Sequence, residues 1–212
     1  MSKARTFSRT HLTAALALAA AITTIATGTL PADLAATDPA AAVDTAVDAA
    51  GLRPVVIRDA RGVAVGRLTV LREGRAAARV SVVVKGLTPG FHGFHLHTTG
   101  VCDPKAVDPA TGQVSPFFTA GGHFDPGGGA HAGHAGDLPP LLTGQDGSGT
   151  ASVVTDRFGL RELTDADGSA VIVHALPDNL ANIPARYAPD GPDEATLRTG
   201  DAGGRVACGV IR

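Results

Sequence analysis

Short runs of alternating apolar and polar residues fill the chain from Pro54 onward, separated by Gly, Pro, Asp and Asn. Residues 63–71 and 79–85 each alternate clearly between two sets of side chains. Further strand-like runs are Val55–Arg58, Phe94–His97, Ala151–Thr155, Ala170–Ala175 and Arg205–Ile211. Period-two alternation with frequent turn residues is typical of β-strands, and no segment beyond residue 53 has a sustained helical period. The pattern predicts an all-β domain.

The first 36 residues differ from the rest of the chain. Met1–His11 carries three positive charges, and Leu12–Ile25 is an uncharged apolar run followed by small residues. This order is typical of an export signal, with cleavage between residues 26 and 36. A retained membrane anchor is the alternative, because the apolar run approaches spanning length, although its many Ala and Thr residues make it only weakly hydrophobic.

Three parts of the chain follow from this division. Residues 1–36 are interpreted as a signal peptide, the Ala-rich residues 37–53 as a linker, and residues 54–212 as the functional domain. We therefore expect a secreted or cell-envelope protein with no stable membrane span after cleavage.

The charge balance argues against one class of partner. The leader holds Lys3, Arg5, Arg9 and Asp33, so of 18 basic and 20 acidic residues the mature chain keeps 15 and 19. An excess of four negative charges leaves no basic footprint for nucleic acid, and no nucleic-acid binding is expected.

Two long stretches rich in Gly and Pro, residues 98–143 and 176–204, interrupt the strands. Irregular segments of this length are uncommon in compact domains and are usually functional or disordered. We expect metal and a disulfide to order them. The two cysteines, Cys102 and Cys208, predict a single bridge from the first stretch to the last strand of an exported chain. The alternative is two unpaired buried thiols.

Histidines carry the candidate chemistry, and seven of the eight lie between His92 and His174. His95 and His97 alternate along one strand, so both imidazoles leave the same face about 6.5–7 Å apart at their origins. That separation suits one shared metal ion. His174 ends another, mainly apolar strand. Taken alone, solvated surface histidines would explain the first pair, and a satisfied core histidine would explain His174.

A glycine-rich segment, GGHFDPGGGAHAGHAGDL, contains His123, His131, His134 and Asp137. Three imidazoles and a carboxylate match a closed tetrahedral zinc set. The alternative is a solvated His/Gly tract without fixed structure. His131 and His134 are only three residues apart and would face opposite ways in a strand, but a turn through Gly133 would bring both inward.

The chain resembles the copper/zinc superoxide dismutase family in five segments that follow the family's order: GFHGFHLH (90–97), AGGHFDP (120–126), HAGDL (134–138), VIVHALPDN (171–179) and TGDAGGRVACGVI (199–211). The resemblance covers about residues 54–212, and the leader and early Cys102 make the chain most similar to the secreted bacterial branch. It implies an eight-stranded antiparallel Greek-key barrel or flattened sandwich with two long loops. The implied activity converts two superoxide anions to dioxygen and hydrogen peroxide by Cu(II)/Cu(I) cycling.

The resemblance also implies the metal ligands. The copper ligands correspond to His95, His97, His123 and His174. The zinc ligands correspond to His123, His131, His134 and Asp137, so that His123 bridges the two metals.

Four further residues take roles by the same resemblance. Asp178 corresponds to the carboxylate that links a copper-ligand histidine to a zinc-ligand histidine. Arg205 corresponds to the guanidinium beside the open copper position and, with His123, is a catalytic candidate. Cys102 and Cys208 correspond to the family's intrasubunit disulfide.

A copper-binding or copper-delivering protein of the same fold, without turnover, is the alternative function. Such a protein is expected to lack copper ligands or Arg205, or to carry a separate Cys-rich metal domain, and this sequence has neither feature. A homodimer is compatible with the family. The segment between Cys102 and His123 is longer than in its familiar cytosolic members and affects a loop that often supports dimer contacts.

Overall fold

The computed structural model describes residues 51–212, in which short strands dominate and helix is almost absent. The strands are Val55–Asp59 (β1), Ala64–Glu73 (β2), Ala77–Val84 (β3), Gly90–His92 (β4), Phe94–His97 (β5), Leu141–Thr143 (β6), Gly149–Thr155 (β7), Ser169–His174 (β8) and Arg205–Ile211 (β9). One α-helix, Glu194–Thr199 (α1), and two single-turn 3-10 segments, Phe118–Ala120 and Glu162–Thr164, complete the elements of this part. The predicted signal peptide and most of the predicted linker lie outside the described residues.

Every strand pair is antiparallel. Seven strands form one sheet in the order β5-β8-β9-β1-β2-β3-β7, and β4 pairs with β6. The connection from β7 to β8 runs from one end of the seven-stranded sheet almost to the other, and the connection from β3 to β4 leads to the two-stranded sheet, as in a Greek key. The predicted all-β antiparallel architecture is confirmed. Counting β4 and β5 as one strand interrupted at Gly93 gives the eight strands expected among the described residues.

Alternation along the strands divides the two faces of the sheet. Phe94 and Leu96 of β5, and Val171 and Val173 of β8, point into the main hydrophobic core together with apolar residues of β1, β2 and β3. Because side chains alternate along a strand, His95 and His97 leave the opposite face. The histidines of β5 thus lie on the face of the sheet opposite the main hydrophobic core.

The first long loop covers that opposite face. Phe117 and Ala120 of the loop pack on Ala170 and Ile172 of β8, and Cys208 of β9 joins the same cluster. The predicted disulfide is confirmed there, since Cys102 is bonded to Cys208 with a Cα–Cα distance of 5.8 Å. The loop is therefore attached to the sheet by both apolar packing and a covalent bond.

A β-bulge lies where β8 ends. Val173 pairs with Ala207, but His174 pairs with Arg205, so Val206 is the extra residue on β9. Bulges bend a strand and re-aim its side chains. This bulge brings the last residue of β8 opposite the first residue of β9.

The sequence did not predict three short elements. The strands β4 and β6 have three residues each, and α1 has six, which is too few for a periodic pattern to emerge. Asp193 begins α1 by accepting a hydrogen bond from the Thr196 N–H, and Gly200 ends it with a φ of 59°. Within residues 51–212, no helix is long and apolar enough to span a membrane.

We predict that replacing both cysteines, Cys102→Ala with Cys208→Ala, lowers the free energy of unfolding by about 4 kcal/mol, because the bridge closes a loop of about 100 residues. Denaturant unfolding of the two proteins measures the difference. The wild-type protein under reducing conditions serves as the control and should lose a similar amount. An unchanged midpoint would contradict a stabilising bridge.

Candidate metal centre

Four histidines converge beneath the long loops. Ligand atoms of His95, His97, His123 and His174 all lie within 4.8 Å of one another. The strands supply His95, His97 and His174, and an isolated bridge between His97 and His123 ties the first loop to β5. The four side chains are almost completely buried. The site is thus built mainly on sheet residues, with one ring delivered by a loop.

Two of these rings direct unprotonated nitrogens at each other. His97 Nδ1 donates to the Gly121 carbonyl oxygen at 2.9 Å, and His174 Nδ1 donates to that of Gly203 at 3.1 Å. Their Nε2 atoms are then both acceptors, and they lie only 3.4 Å apart. Two buried lone pairs in this position need a cation between or beside them. The arrangement fits a metal ion.

Asp178 orients two further rings. Its Oδ2 accepts a hydrogen bond from His95 Nε2 at 2.6 Å, and its Oδ1 accepts one from His131 Nε2 at 2.8 Å. Within residues 51–212, the buried side-chain nitrogen and oxygen atoms without a hydrogen bond are His95 Nδ1 and His131 Nδ1, of which the second lies 3.1 Å from Asp137 Oδ2 but outside hydrogen-bond geometry. Unpaired buried polar atoms are costly. Both atoms are therefore fit to bind a metal.

Asp137 lies at the centre of a second cluster. Its Oδ1 is 2.7 Å from His123 Nδ1, and its Oδ2 is 3.1 Å from both His131 Nδ1 and His134 Nδ1. The Nδ1 atoms of His123 and His134 are 3.4 Å apart. Three imidazole nitrogens and a carboxylate form a donor set suited to tetrahedral zinc. His123 turns Nδ1 toward this cluster, which leaves its Nε2 for the first.

The two clusters touch each other. The ring centroids of His95 and His123 are 4.0 Å apart, and ligand atoms of His95, His123, His131 and Asp137 also lie within 4.8 Å of one another. His134 borders this group through its contacts with Asp137 and His123. Two metals bound here would be close neighbours.

A tight turn accommodates the short spacing in the second cluster. The Gly133 N–H donates to the Ala130 carbonyl oxygen at 2.6 Å, and the ring centroids of His131 and His134 are 5.6 Å apart. The Leu197 carbonyl oxygen of α1 accepts a hydrogen bond from the His131 N–H at 3.0 Å. The turn therefore directs both rings to the same side, as the glycine suggested.

Burial and charge make the two clusters electrostatically different. Burial lowers the pKa of His174 to about 3 and that of His123 to about 4. Burial, reinforced by the charge of Arg205, also holds the pKa of His97 well below its usual value. These three rings are neutral at neutral pH and keep a lone pair for a metal.

His131 has the opposite shift. Burial works against its protonation, but the carboxylates of Asp137 and Asp178 outweigh burial and raise its pKa to about 9. For the same reason the contact with His123 and His131 keeps the pKa of Asp137 below its usual range, although burial opposes this. A metal that binds the second cluster must therefore displace a proton from His131.

An open cleft of about 870 Å³ leads to the first cluster. Arg205 lies in its wall and donates to the carbonyl oxygens of Phe117 and Gly121, both at 2.6 Å. Its guanidinium is 5.8 Å from the centre of the Phe118 ring. A further part of the wall comes from α1, with Glu194, Arg198 and Thr199. The cleft thus offers a fixed positive group beside the buried nitrogens.

The structure brings together every residue that the sequence singled out for the two metals, with Asp178 between them and Arg205 alongside. It adds Gly200, which the sequence analysis missed. A Cβ at this position would collide with Asp178 Oδ1 and His131 Nε2. A glycine after a short helical segment signals a helix end. Nothing in the sequence signals the close approach to a candidate ligand.

Residues 64–211 match the family described as copper/zinc superoxide dismutase (SODC). The chain is 47% identical over 144 residues to a Cu-Zn superoxide dismutase from Mycolicibacterium paratuberculosis, covering 65% of this chain and 63% of that protein. It is 37% identical to Cu-Zn superoxide dismutase 2 from Brassica juncea, over 74% of this chain and 93% of the relative. The Cu/Zn superoxide dismutase from Brucella abortus superimposes with a TM-score of 0.58 and 32% identity, covering 76% of this chain and 99% of that structure. The match, the two histidine clusters and the Greek-key fold agree: the chain belongs to the copper/zinc superoxide dismutase family.

Proposed function

We propose that the protein is a superoxide dismutase, which converts two superoxide anions and two protons to dioxygen and hydrogen peroxide. Copper is held by His95, His97, His123 and His174, and zinc by His123, His131, His134 and Asp137. The observation that carries this proposal is the pair of facing Nε2 atoms of His97 and His174, 3.4 Å apart at the base of a cleft that contains Arg205. All-imidazole coordination suits copper, and three imidazoles with a carboxylate suit zinc.

Copper held by these residues would supply one-electron chemistry by cycling between Cu(II) and Cu(I), and zinc would supply a fixed positive charge. The protein's own part begins at Arg205. Its two hydrogen bonds to loop carbonyls hold the guanidinium still, so that it attracts and orients a small anion in the cleft. Burial lowers the pKa of Arg205, but arginine keeps its charge in proteins.

His123 is the proposed proton donor. Its Nδ1 lies 2.7 Å from Asp137 Oδ1 on the side of the proposed zinc ligands, so Nε2 is the atom that would take up a proton from water when it is free of copper and then pass that proton to the product. Dismutation consumes two protons, and water from the open cleft supplies the other. His123 therefore serves both as a ligand and as an acid.

We also propose that the protein works outside the cytoplasm. The disulfide between Cys102 and Cys208 favours an oxidising compartment, since such bonds rarely persist in the cytosol. The charged and apolar residues 1–36, which are interpreted as a signal peptide, also support export.

Metal content and dismutation measured on one purified sample test the proposed activity. We expect about one copper and one zinc per chain, with superoxide removal proportional to copper content. Full copper loading without dismutation would overturn the proposed activity and support a copper-carrying protein instead. Absence of copper from protein that was prepared with excess copper and zinc would overturn the proposed copper site itself.

We predict that His174→Ala lowers copper affinity by more than about a hundredfold and reduces dismutation to background, because it removes one of four donors. His95→Ala should behave similarly. Copper competition with a chelator and a superoxide assay measure the two effects. The comparison variant is His131→Ala, which should keep copper binding and a larger share of the activity. Full activity of His174→Ala at full copper loading would contradict the assigned ligands.

We predict that His131→Ala abolishes stoichiometric zinc binding and destabilises the metal-replete protein, because zinc stabilises only the folded state. A loss of about 2 kcal/mol would lower the Tm by about 4–8 °C in a domain of this size. Elemental analysis and thermal unfolding measure the two effects. The metal-free wild-type and variant proteins should differ less than the metal-replete ones. Wild-type protein that takes up copper but no zinc would contradict the premise.

We predict that zinc binding depends on pH more steeply than copper binding. His131, with its pKa raised to about 9, is protonated in the metal-free protein at pH 7, so zinc must displace that proton. Zinc affinity should then fall about tenfold for each pH unit below 8. His174 and His123, with pKa values of about 3 and 4, are already neutral at pH 5–7 and add no such competition.

Chelator competition at pH 5, 6, 7 and 8, corrected for the chelator's own protonation, measures both dependences. Acidification should release zinc before copper. Equal slopes for the two metals would contradict the predicted difference.

A further inference from the structure

The loop that carries the proposed zinc ligands cannot hold its own shape by side-chain packing. Residues 127–133 read GGGAHAG, so His131 is the only side chain there larger than a methyl group. Glycine loses more conformational freedom on ordering than any other residue. The loop therefore depends on groups outside it for its conformation.

Arg157 supplies such a group from the segment after β7. Its Nη1 donates to the carbonyl oxygen of Ala132 at 3.1 Å and to that of His134 at 3.2 Å. These two carbonyls bracket Gly133, the residue at which the chain turns between His131 and His134. One cationic donor thus fixes both sides of the turn.

The backbone at Arg157 is itself held in place by its neighbours. The next residue, Phe158, is 2% exposed and packs edge-to-face on Phe124, with ring centroids 6.3 Å apart. Phe124 directly follows His123 and belongs to the main core. The Arg157 N–H also donates to Thr155 Oγ1 at 3.2 Å. The guanidinium therefore reaches the loop from a backbone that the core holds in position.

We propose that Arg157 is a positioning residue for the zinc site, which holds the turn at Gly133 so that His131 and His134 both face Asp137. This inference rests on the proposed zinc site and concerns how the protein prepares it. Charged donors form stronger hydrogen bonds than neutral ones, and outer contacts of this kind commonly govern metal affinity.

If Arg157 acted only through its charge, its removal would change zinc affinity in the opposite direction. A guanidinium near a bound dication repels it, so removing the charge would strengthen zinc binding if Arg157 acted only through its field. Removing a positioning group weakens zinc binding instead. The direction of the change separates the two roles.

The test compares zinc affinity, by chelator competition at pH 8, in the wild-type protein, Arg157→Met, Arg157→Lys and Arg161→Met. Met keeps much of the length of Arg but removes its donors, and Lys keeps a cation that can donate to the same carbonyls. Arg161 is the matched control, because it is exposed and makes no side-chain hydrogen bond or ion pair within residues 51–212. Co²⁺ binding to the same proteins gives a visible spectrum that reports the ligand geometry.

We expect Arg157→Met to weaken zinc binding by about tenfold to a hundredfold and to weaken or shift the tetrahedral Co²⁺ bands, whereas Arg161→Met stays within about twofold of wild type. Arg157→Lys should recover part of the loss. Copper affinity should change little, which separates this effect from general unfolding. If Arg157→Met does not fold, Arg157→Ala takes its place: a zinc affinity at least tenfold weaker than wild type supports the proposal, and one within twofold of wild type overturns it.

Two results overturn the positioning role while leaving the proposed zinc site intact: zinc affinity of Arg157→Met within twofold of wild type, or tighter binding in Arg157→Met. Wild-type protein that binds neither zinc nor Co²⁺ overturns the proposed zinc site, and the role of Arg157 with it.

Discussion

The carboxylate of Asp178 determines how the rest of the centre is arranged. It accepts N–H donors from His95 and His131, which come from a strand and from a glycine-rich loop. Each ring donates its Nε2–H to Asp178, which turns its Nδ1 toward the other candidate ligands. A single side chain therefore sets the orientation of one ring in each cluster. The two clusters are thereby joined through one carboxylate.

The two clusters rest on different kinds of support. The first takes three of its four rings from β5 and β8, whose backbone is held by ladder hydrogen bonds and by the core beneath. The second takes its rings from the first long loop, which is ordered by the disulfide, by α1 and by Arg157. Sites on strands are held more tightly than sites on loops. The fold thus combines a preformed site with one that several remote contacts must assemble.

The parts of the molecule that were predictable from sequence are those with a repeating signal. Alternation identified β2 and β3, and the His95–His97 pair on one strand identified a metal-binding face. The six-residue α1 and the three-residue β4 and β6 were not predicted, because tertiary contacts and not local patterns define them. Arg157 also escaped, since an exposed arginine after a strand carries no signal of the carbonyls it meets. Those carbonyls become neighbours only when two distant loops are folded together.

The second long loop both passes close to the metal centre and lines the cleft, and Gly200 belongs to the part that passes the centre. Its bare Cα lets α1 end directly against Asp178 and His131, where any larger residue would push the carboxylate and the ring apart. The residues just before it, Glu194 and Arg198, are exposed and line the mouth of the cleft. They touch no candidate ligand among their hydrogen bonds and ion pairs. Substitution can therefore alter the charge of the entrance freely during evolution, while the backbone that passes the centre admits only glycine.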